Sequence, residues 1–262
     1  MKKAKNEYAI QAVVNGLRVI EAFEHAEELG VTELSQVLGL HKNNVFRLLA
    51  TLEMKDYIEQ TEVGRYRLGS RCFEVARWHR RSAAELLRRA GEVLDALAES
   101  TGETVHLAVL RDFEVIHLDA REAAHLVRVG LRVGRRLPAH CTALGKVLLG
   151  CGGETVLREY GRWLGASGAP AKFTDATIVD RDKLFEHLQG VGLRRLAVDD
   201  EEFDAGVCCA AAPVFDDTGA LVAALSVSAP TLRHGSESML ERVGPQVAAA
   251  AERLSARLGY SD

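Results

Sequence analysis

The 262-residue chain lacks any apolar run long enough to cross a bilayer, a length that takes about 20 consecutive apolar residues. The sequence therefore excludes a transmembrane helix, and no membrane partner is expected. The N-terminal segment, MKKAKNEYAIQAVV, carries lysines but has neither the apolar core nor the cleavage site of a secretory signal. We therefore expect a cytoplasmic protein.

Motifs of metal binding and catalysis are also missing. The five cysteines are an odd number scattered along the chain, which is typical of reduced thiols and not of a disulfide framework. No Cys-x-x-Cys, His-Glu-x-x-His, Gly-x-Ser-x-Gly or phosphate-binding glycine loop is present. We predict a protein that is not an enzyme, with no catalytic residue, no metal and no cofactor.

Two alternatives rest on the cysteines. His140–Cys141 and Cys208–Cys209 suggest a Cys/His nucleophile or a zinc site, but adjacent residues of a strand point to opposite faces. A thiol- or metal-responsive regulator with Cys141 and Cys209 in one pocket stays open as the second alternative, although buried thiols are usually inert.

The net charge of −4 argues by itself against a nucleic-acid-binding protein. The charges are unevenly distributed, because residues 1–81 contain 13 Lys or Arg and 11 Asp or Glu, whereas residues 82–262 contain 20 and 26. Five of the N-terminal acids fall between Glu21 and Glu33, which leaves residues 42–81 basic. Basic charge confined to one region is typical of a local phosphate-binding face.

Three helices are predicted in the first 55 residues. Apolar residues recur at helical spacing from Val13 to Phe23, and Gly30 ends that segment. Thr32 is the predicted N-cap of a short second helix that Gly39 closes, and a third helix is predicted from Lys42 to Lys55. Two short helices joined by a glycine-containing turn form a helix-turn-helix, whose second helix enters the major groove of DNA.

The outward face of the third helix is polar. Amide side chains pair with adenine and Arg or Lys with guanine in the major groove, whereas a merely solvated face is the alternative for an arbitrary helix. The position of this helix within a helix-turn-helix favours contact with double-stranded operator DNA. The DNA-binding residues predicted on it are Lys42, Asn43, Asn44, Arg47 and Thr51.

A short β-hairpin is predicted over residues 57–69, with its turn near Val63–Gly64. Arg65 and Arg67 are two residues apart, so both are expected on one face of the second strand. A hairpin that follows a recognition helix is a wing, and wing arginines contact phosphate or the minor groove. Three N-terminal lysines are expected to form a phosphate-contacting arm or a solvated tail: Lys2, Lys3 and Lys5.

The order of these segments resembles the IclR-type family of transcriptional regulators over nearly the whole chain. The N-terminal part matches in Gly16–Ile20, in TELSQVLGLHKNNVFRLLATLEMKDYI and in GRYRLG. Two longer segments, Gly134–Leu149 (GRRLPAHCTALGKVLL) and Asp199–Pro230 (DDEEFDAGVCCAAAPVFDDTGALVAALSVSAP), resemble the signatures of the family's effector domain. Many members begin the recognition helix with small hydroxyl residues where this chain has Lys42–Asn44, which leaves the operator sequence open.

Strand and helix patterns alternate in the remainder of the chain. The predicted strands are Thr104–Leu110, Val115–Ala120, Leu126–Val129, Arg195–Val198, Val207–Phe215 and Leu221–Val227. The predicted helices are 70–81, 82–100, Ala143–Leu149, Glu154–Leu164, Arg181–Val191 and Ser236–Leu258. Hairpin-length turns such as Asp216–Gly219 predict a mainly antiparallel sheet flanked by helices.

A ligand site is predicted near Thr142–Gly145, where free backbone N–H groups at a helix start favour a carboxylate. Read alone, Gly145 has a packing role and Lys146 is a surface charge. The family resemblance implies instead that a small organic acid is held by side chains, by backbone amides near Ala143 and Leu144, and by one apolar contact from Leu126. The effector-binding residues that it implies are Leu126, Ala143, Leu144, Asp199, Cys209, Ser226 and Ser228.

An aspartate beside a carboxylate ligand requires an explanation. Asp199 either accepts a hydrogen bond from a ligand hydroxyl or is protonated because it is buried, and both interpretations stay open. Glyoxylate-like keto acids and hydroxylated aromatic acids both suit the site. The resemblance also implies a homodimer, or a tetramer of paired dimers, that represses or activates a catabolic operon.

The expected fold is therefore a two-domain α/β protein. Residues 1–69 form a winged helix-turn-helix DNA-binding domain, and residues 70–81 form a linker helix. Residues 82–262 form an effector-binding and oligomerisation domain, for which the resemblance implies a GAF-like architecture.

Overall fold

The computed structural model describes residues 9–261, without the side chains of residues 25, 73, 76–84 and 167. The three lysines assigned to an N-terminal arm, Lys2, Lys3 and Lys5, lie outside the described residues. The chain divides into two compact units, and the division falls between Ala84 and Glu85. Within residues 9–261, no helix combines the length and the apolar character needed to traverse a bilayer.

The first unit contains the predicted helix-turn-helix and wing. Its helices are α1 (Gln11–Glu21), α2 (Val31–Leu38) and α3 (Lys42–Glu53), with a 3₁₀ turn (Ala22–His25) after α1. The wing consists of β1 (Ile58–Gln60) and β2 (Tyr66–Leu68), which pair antiparallel with Glu59 opposite Arg67. One buried cluster holds the three helices and the wing together, and its most enclosed side chains are Val19, Leu34, Val45, Leu49 and Ile58.

The caps of α2 set the geometry of the helix-turn-helix. The helix begins at Val31 and not after Thr32, because the Glu33 carboxylate accepts a hydrogen bond from the Gly30 amide (2.6 Å). The prediction that Thr32 is the N-cap was therefore wrong. Gly39 ends α2 in the left-handed conformation (φ 66°), as predicted, and it turns the chain into α3.

A single helix, α4 (Ser70–Thr101), connects the wing to the sheet of the second unit. The two helical stretches predicted at 70–81 and 82–100 are thus continuous. Gly69 precedes α4 at a position where a Cβ would overlap the backbone of Asp56.

The second unit is built on a six-stranded sheet. Its strands are β3 (Thr104–Arg111), β4 (Glu114–Arg121), β5 (Arg136–Pro138), β6 (Ala197–Asp200), β7 (Val207–Phe215) and β8 (Leu221–Pro230). They are ordered β5-β4-β3-β8-β7-β6, and every neighbouring pair is antiparallel. The predicted sheet type is confirmed.

Helices cover both faces of this sheet. On one face a buried cluster joins α4 residues such as Leu94 to the C-terminal helix and to strand residues such as Leu225. On the other face a second cluster joins α5 (Ala143–Gly150) and α7 (Arg181–Arg194) to small strand residues, with α6 (Gly153–Ser167) beside them. Alanines at Ala108, Ala211 and Ala224 let α5 pack closely against the sheet. The predicted two-domain α/β fold class is confirmed.

Two predicted strands differ from the structure. Residues Leu126–Val129 form no strand, because the segment is held by side-chain bonds: the Thr104 hydroxyl donates to the Val129 carbonyl oxygen (2.7 Å). The edge of β4 pairs instead with β5, a strand that the sequence analysis missed. The strand predicted from Arg195 begins two residues later, because Arg195 is the left-handed C-cap of α7 (φ 53°).

The C-terminal helix is interrupted. Its first turn, α8 (Ser236–Ser238), passes through a π-helical turn (Met239–Val243) into α9 (Gly244–Arg257). Pro245 stands in the first turn of α9, where its missing N–H leaves no hydrogen bond unmade. The irregular turn therefore lies directly before the proline.

Candidate functional site

The exposed face of α3 carries all five of its predicted DNA-binding residues. His41 precedes the helix, and its imidazole accepts a hydrogen bond from the Asn43 amide (3.4 Å). Within the described residues, Arg47 forms no ion pair, so its guanidinium is free for a partner. Thr51 donates its hydroxyl to the Arg47 carbonyl oxygen (2.7 Å) and keeps only an acceptor for a partner. The exposed set is Lys42, Asn43, Asn44, Arg47 and Thr51.

Phe46 was missed by the sequence analysis. Its side chain is 57% exposed on the same side of α3, although aromatic residues of a short helix usually face the core. An exposed phenylalanine on a recognition helix can contact the methyl group of thymine. Its spacing from Val45 and Leu49, the buried residues of α3, is the signal that would have revealed it.

Both wing arginines form ion pairs inside the first unit. Arg65 precedes β2 and donates to the Glu33 carboxylate (2.8 Å) and to the Glu28 carbonyl oxygen (2.9 Å), which ties the wing to the start of α2. Arg67 pairs across the hairpin with Glu59. Their side chains keep 40% and 56% exposure, so both remain accessible to a partner.

A buried cavity in the second unit lies between the sheet and the start of α5. Asp199, Cys209, Ser228 and Thr104 are directly opposite one another on β6, β7, β8 and β3. Cross-strand partners point to the same face, so this row of polar side chains faces α5. The cavity is small, with a volume of about 30 Å³.

The start of α5 forms the opposite wall. Thr142 is the N-cap, and its hydroxyl accepts a hydrogen bond from the Gly145 amide (3.3 Å). Among the described residues, the amides of Ala143 and Leu144 have no acceptor, as expected at a helix N-terminus. A Cβ on Gly145 would overlap the backbone of Ala139, so the expected packing role of Gly145 agrees with the structure. This wall can bind a carboxylate.

Lys146 is buried, so its interpretation as a surface charge was wrong. Its ammonium forms an ion pair with Glu202 and donates to the Val198 carbonyl oxygen (2.5 Å). The Glu202 amide in turn donates to the Asp199 carboxyl (2.8 Å). The pair therefore connects α5 to the end of β6 and holds Asp199 in place.

Burial is the main cause that raises the pKa of Asp199 to about 7, and the nearby Lys146 charge opposes it. Asp199 is therefore protonated in an appreciable fraction of molecules at neutral pH. A neutral carboxyl can donate a hydrogen bond to an anionic ligand. This observation favours protonation by burial over a permanently charged Asp199.

Six of the seven effector residues implied by the family resemblance line this one cavity: Ala143, Leu144, Asp199, Cys209, Ser226 and Ser228. Leu126 does not, because its loop leaves the side chain 97% exposed. The apolar wall is formed instead by residues such as Val129 and Leu137.

Further polar residues of the cavity were missed. His106 and His117 lie on β3 and β4, where an isolated histidine in a strand gives no signal in the sequence. Arg132 lies over the Phe203 ring (5.4 Å from its centroid) and pairs with Asp204 (2.5 Å). Arg132 therefore places a positive charge at the cavity.

The thiols do not form a reactive centre. Cys209 lines the cavity but Cys141 does not, so this cavity does not bring the two thiols together as the alternative of a thiol-responsive regulator required. Burial raises the pKa of both thiols, and a protonated thiol is a poor nucleophile. No group of three His, Cys, Asp or Glu side chains could hold a metal ion in the part of the chain that the structure describes.

Comparison with known proteins accounts for both units. A sequence profile for the "IclR helix-turn-helix domain" matches residues 12–62, and one for "Bacterial transcriptional regulator IclR C-terminal" matches residues 79–256. The HTH-type transcriptional regulator XynR of Escherichia coli (strain K12) is 35% identical over 96% of this chain and 98% of its own length. The transcriptional repressor IclR of the same organism is 32% identical over 95% of this chain and 90% of its own length.

A solved structure shares the fold over its whole length. The IclR homolog of Microbacterium hydrocarbonoxydans, crystallised with 4-hydroxybenzoate, aligns with a TM-score of 0.80. The alignment covers 95% of this chain and 100% of that chain at 24% identity, which is evidence for the fold alone. The curated relatives are transcriptional regulators, as predicted, and not enzymes. The chain belongs to the IclR family of bacterial transcriptional regulators.

Proposed function

We propose that the chain regulates transcription by binding operator DNA through α3 and the wing, under the control of a small organic acid that binds in the sheet cavity. One observation carries the proposal. Six polar or backbone groups that the family resemblance assigned to an effector, separated by up to 85 residues, line a single buried cavity. The functional domains are 1–69 for DNA, 70–81 for the linker and 82–262 for the effector.

Two kinds of group in the cavity favour an acid. The free amides of Ala143 and Leu144 donate hydrogen bonds to a carboxylate, and the dipole of α5 adds a favourable potential. Arg132 lines the same cavity and brings a guanidinium to it, although Asp204 pairs with that charge. Asp199, Cys209 and the two serines then donate to or accept from the remaining polar groups of the ligand.

The DNA-binding role belongs to the exposed residues of α3. In this proposal, the exposed residues Asn43, Asn44 and Arg47 read base edges, and Phe46 contacts a thymine methyl group. Lys42, Thr51, Arg65 and Arg67 then contact phosphates and orient the unit on the duplex. The regulator acts in the cytoplasm as a homodimer or as a tetramer of paired dimers, which matches two half-sites of one operator. The acid alters DNA binding only to the extent that it prefers one arrangement of the dimer.

The test combines an operator fragment with a panel of acids. DNA that flanks the gene of this regulator is used in gel shifts with glyoxylate, pyruvate, lactate and 4-hydroxybenzoate. We expect at least one acid to change the operator affinity of the wild-type protein. Ser226→Ala should bind DNA normally but need at least tenfold more acid, because a hydroxyl that lines the cavity is lost.

Ser100→Ala is the matched control, since Ser100 is exposed at the end of α4 and bonds only to its own helix. It should respond to the acid like the wild type. The proposal fails if no acid of the panel changes operator affinity, or if the two serine variants respond alike.

A further inference from the structure

Three polar atoms at one end of the cavity are buried without a hydrogen-bond partner in the described part of the protein. They are His106 Nε2, His117 Nδ1 and Ser226 Oγ, and their residues are 1%, 3% and 1% exposed. Leaving one such group unpaired costs about 1–3 kcal/mol, and native proteins contain few of them. Three in one cavity therefore require an explanation.

The three atoms form a cluster. Ser226 on β8 is directly opposite His106 on β3, so both side chains face the cavity. The His106 and His117 rings meet edge to face, with their centroids 5.0 Å apart. The cluster lies on β8, β3 and β4, and the row that contains Asp199 crosses β8 and β3 two residues away, at Ser228 and Thr104.

The surroundings of the two rings indicate which of their nitrogens carries the proton. The Gly130 carbonyl favours an N–H on the His106 ring, and because Nε2 has no partner we assign that proton to Nδ1. The Arg135 carbonyl does the same for the His117 ring, where we assign the proton to Nε2. A neutral imidazole has one N–H, so His106 Nε2 and His117 Nδ1 both present lone pairs to the cavity.

Both rings are neutral at physiological pH. Burial lowers the pKa of His106 to about 3 and that of His117 to about 4, and the positive charge of Arg132 acts in the same direction. Arg132 itself is held by Asp204, and the other charged groups around this end of α5 are Asp199 and the Lys146–Glu202 ion pair. At neutral pH the cavity therefore offers two hydrogen-bond acceptors side by side.

We propose that His106 and His117 select effectors that carry a hydroxyl group, so that the regulator senses a hydroxy acid in preference to the keto acid or unsubstituted acid of the same skeleton. The inference rests on the proposed function of this cavity. A hydroxyl donates to an imidazole lone pair and accepts in return from Ser226. A ketone oxygen only accepts, so it would leave both lone pairs unpaired and bring a partial negative charge towards them.

Calorimetric titration of the full-length wild-type protein with matched acids tests this selection. Lactate is compared with pyruvate, and 4-hydroxybenzoate with benzoate. For the skeleton that fits the cavity, we expect the hydroxy acid to bind about 10- to 100-fold more tightly, as expected from one buried hydrogen bond. The comparison uses only the wild-type protein, so it does not depend on the folding of a variant.

Two variants and a matched control assign the preference to the ring nitrogens. His106→Phe and His117→Phe replace the imidazole by a somewhat larger apolar ring without an acceptor. At least one of them should lower the preference at least fivefold, because one hydroxyl proton bonds to one of the two nitrogens. His187→Phe is the control, because His187 also has a buried Nε2 without a partner and a pKa lowered to about 4, yet it does not line the cavity. It should keep the full preference.

The outcomes separate the inference from the proposed function. The inference is overturned if the two acids of a pair bind with equal affinity, a result that a trapped water donating to both nitrogens would produce. It is also overturned if the keto acid or the unsubstituted acid binds more tightly. A preference that survives undiminished in both histidine variants also overturns it. In each of these cases the proposed function stands if an acid still changes operator affinity, whereas binding of no acid at all refutes both.

Discussion

Asp199 gives the second unit a pH dependence of stability that one substitution should remove. The side chain is 3% exposed, and its carboxyl accepts a hydrogen bond from the Glu202 amide (2.8 Å). Burial raises its pKa from 3.8 to about 7, against the opposing charge of Lys146. In Asp199→Asn the amide oxygen can still accept that hydrogen bond, but the ionisable group is lost.

The sign of the effect follows from the raised pKa. The folded protein holds the proton more tightly than the unfolded chain does, so the stability gained from protonated Asp199 is fully present below about pH 4. It is lost as the pH rises through about 7. A pKa difference of about three, at about 1.4 kcal/mol per unit, corresponds to about 4 kcal/mol, of which roughly 2.5 kcal/mol falls between pH 5 and pH 8.

Urea unfolding at pH 5 and pH 8 measures this difference. Trp163 lies on α6, so its fluorescence reports on the second unit when Trp78 is replaced by Phe in all proteins. From pH 5 to pH 8, the wild type should lose about 2.5 kcal/mol more unfolding free energy than Asp199→Asn does. Asp200→Asn, a substitution of the exposed neighbour on β6, should follow the wild type. Equal pH dependences of the wild type and Asp199→Asn would refute the assignment of a raised pKa.

Three further predictions concern the DNA-binding residues and α5. Arg47→Ala should weaken operator binding by tenfold or more and relax base preference in gel shifts, without a change in thermal midpoint, because Arg47 is exposed. Arg65→Ala should reduce the slope of log affinity against log salt concentration by about one unit. It should also lower the thermal midpoint slightly, because Arg65 holds the wing to Glu33. An unchanged slope would argue against a phosphate contact. Gly145→Ala should cost at least about 2 kcal/mol of unfolding free energy, because its Cβ overlaps the backbone of Ala139, whereas Gly91→Ala in α4 should be tolerated.

Local patterns were sufficient for most of the secondary structure. The strand Val207–Phe215 was predicted with its observed bounds, and Lys42 begins the observed α3. The strand is a continuous apolar run and the helix repeats apolar residues at helical spacing, and both patterns depend only on neighbours along the chain. The three-residue strand β5 was missed, because its residues contain no period and form a strand only where β4 offers them an edge.

The same limit applies to the effector site. Serines two residues apart in β8 and a helix start at Ala143 are visible in the sequence, and the family resemblance assigned them to a ligand. Leu126 lies outside the cavity because its loop is positioned by contacts from distant residues, such as the hydrogen bond between Thr104 and Val129, and not by its own sequence.

The sequence by itself thus determined the helix-turn-helix, the polar face of α3, the alternation of strands and helices and the family. Each of these depends on residue type and local spacing. Only the tertiary structure decided that Lys146 is a buried ion pair and that His106 is opposite Ser226. Strand register and burial depend on which distant segments meet. A strand histidine with no local signal in the sequence is therefore an unpaired acceptor at a cavity only in the folded protein.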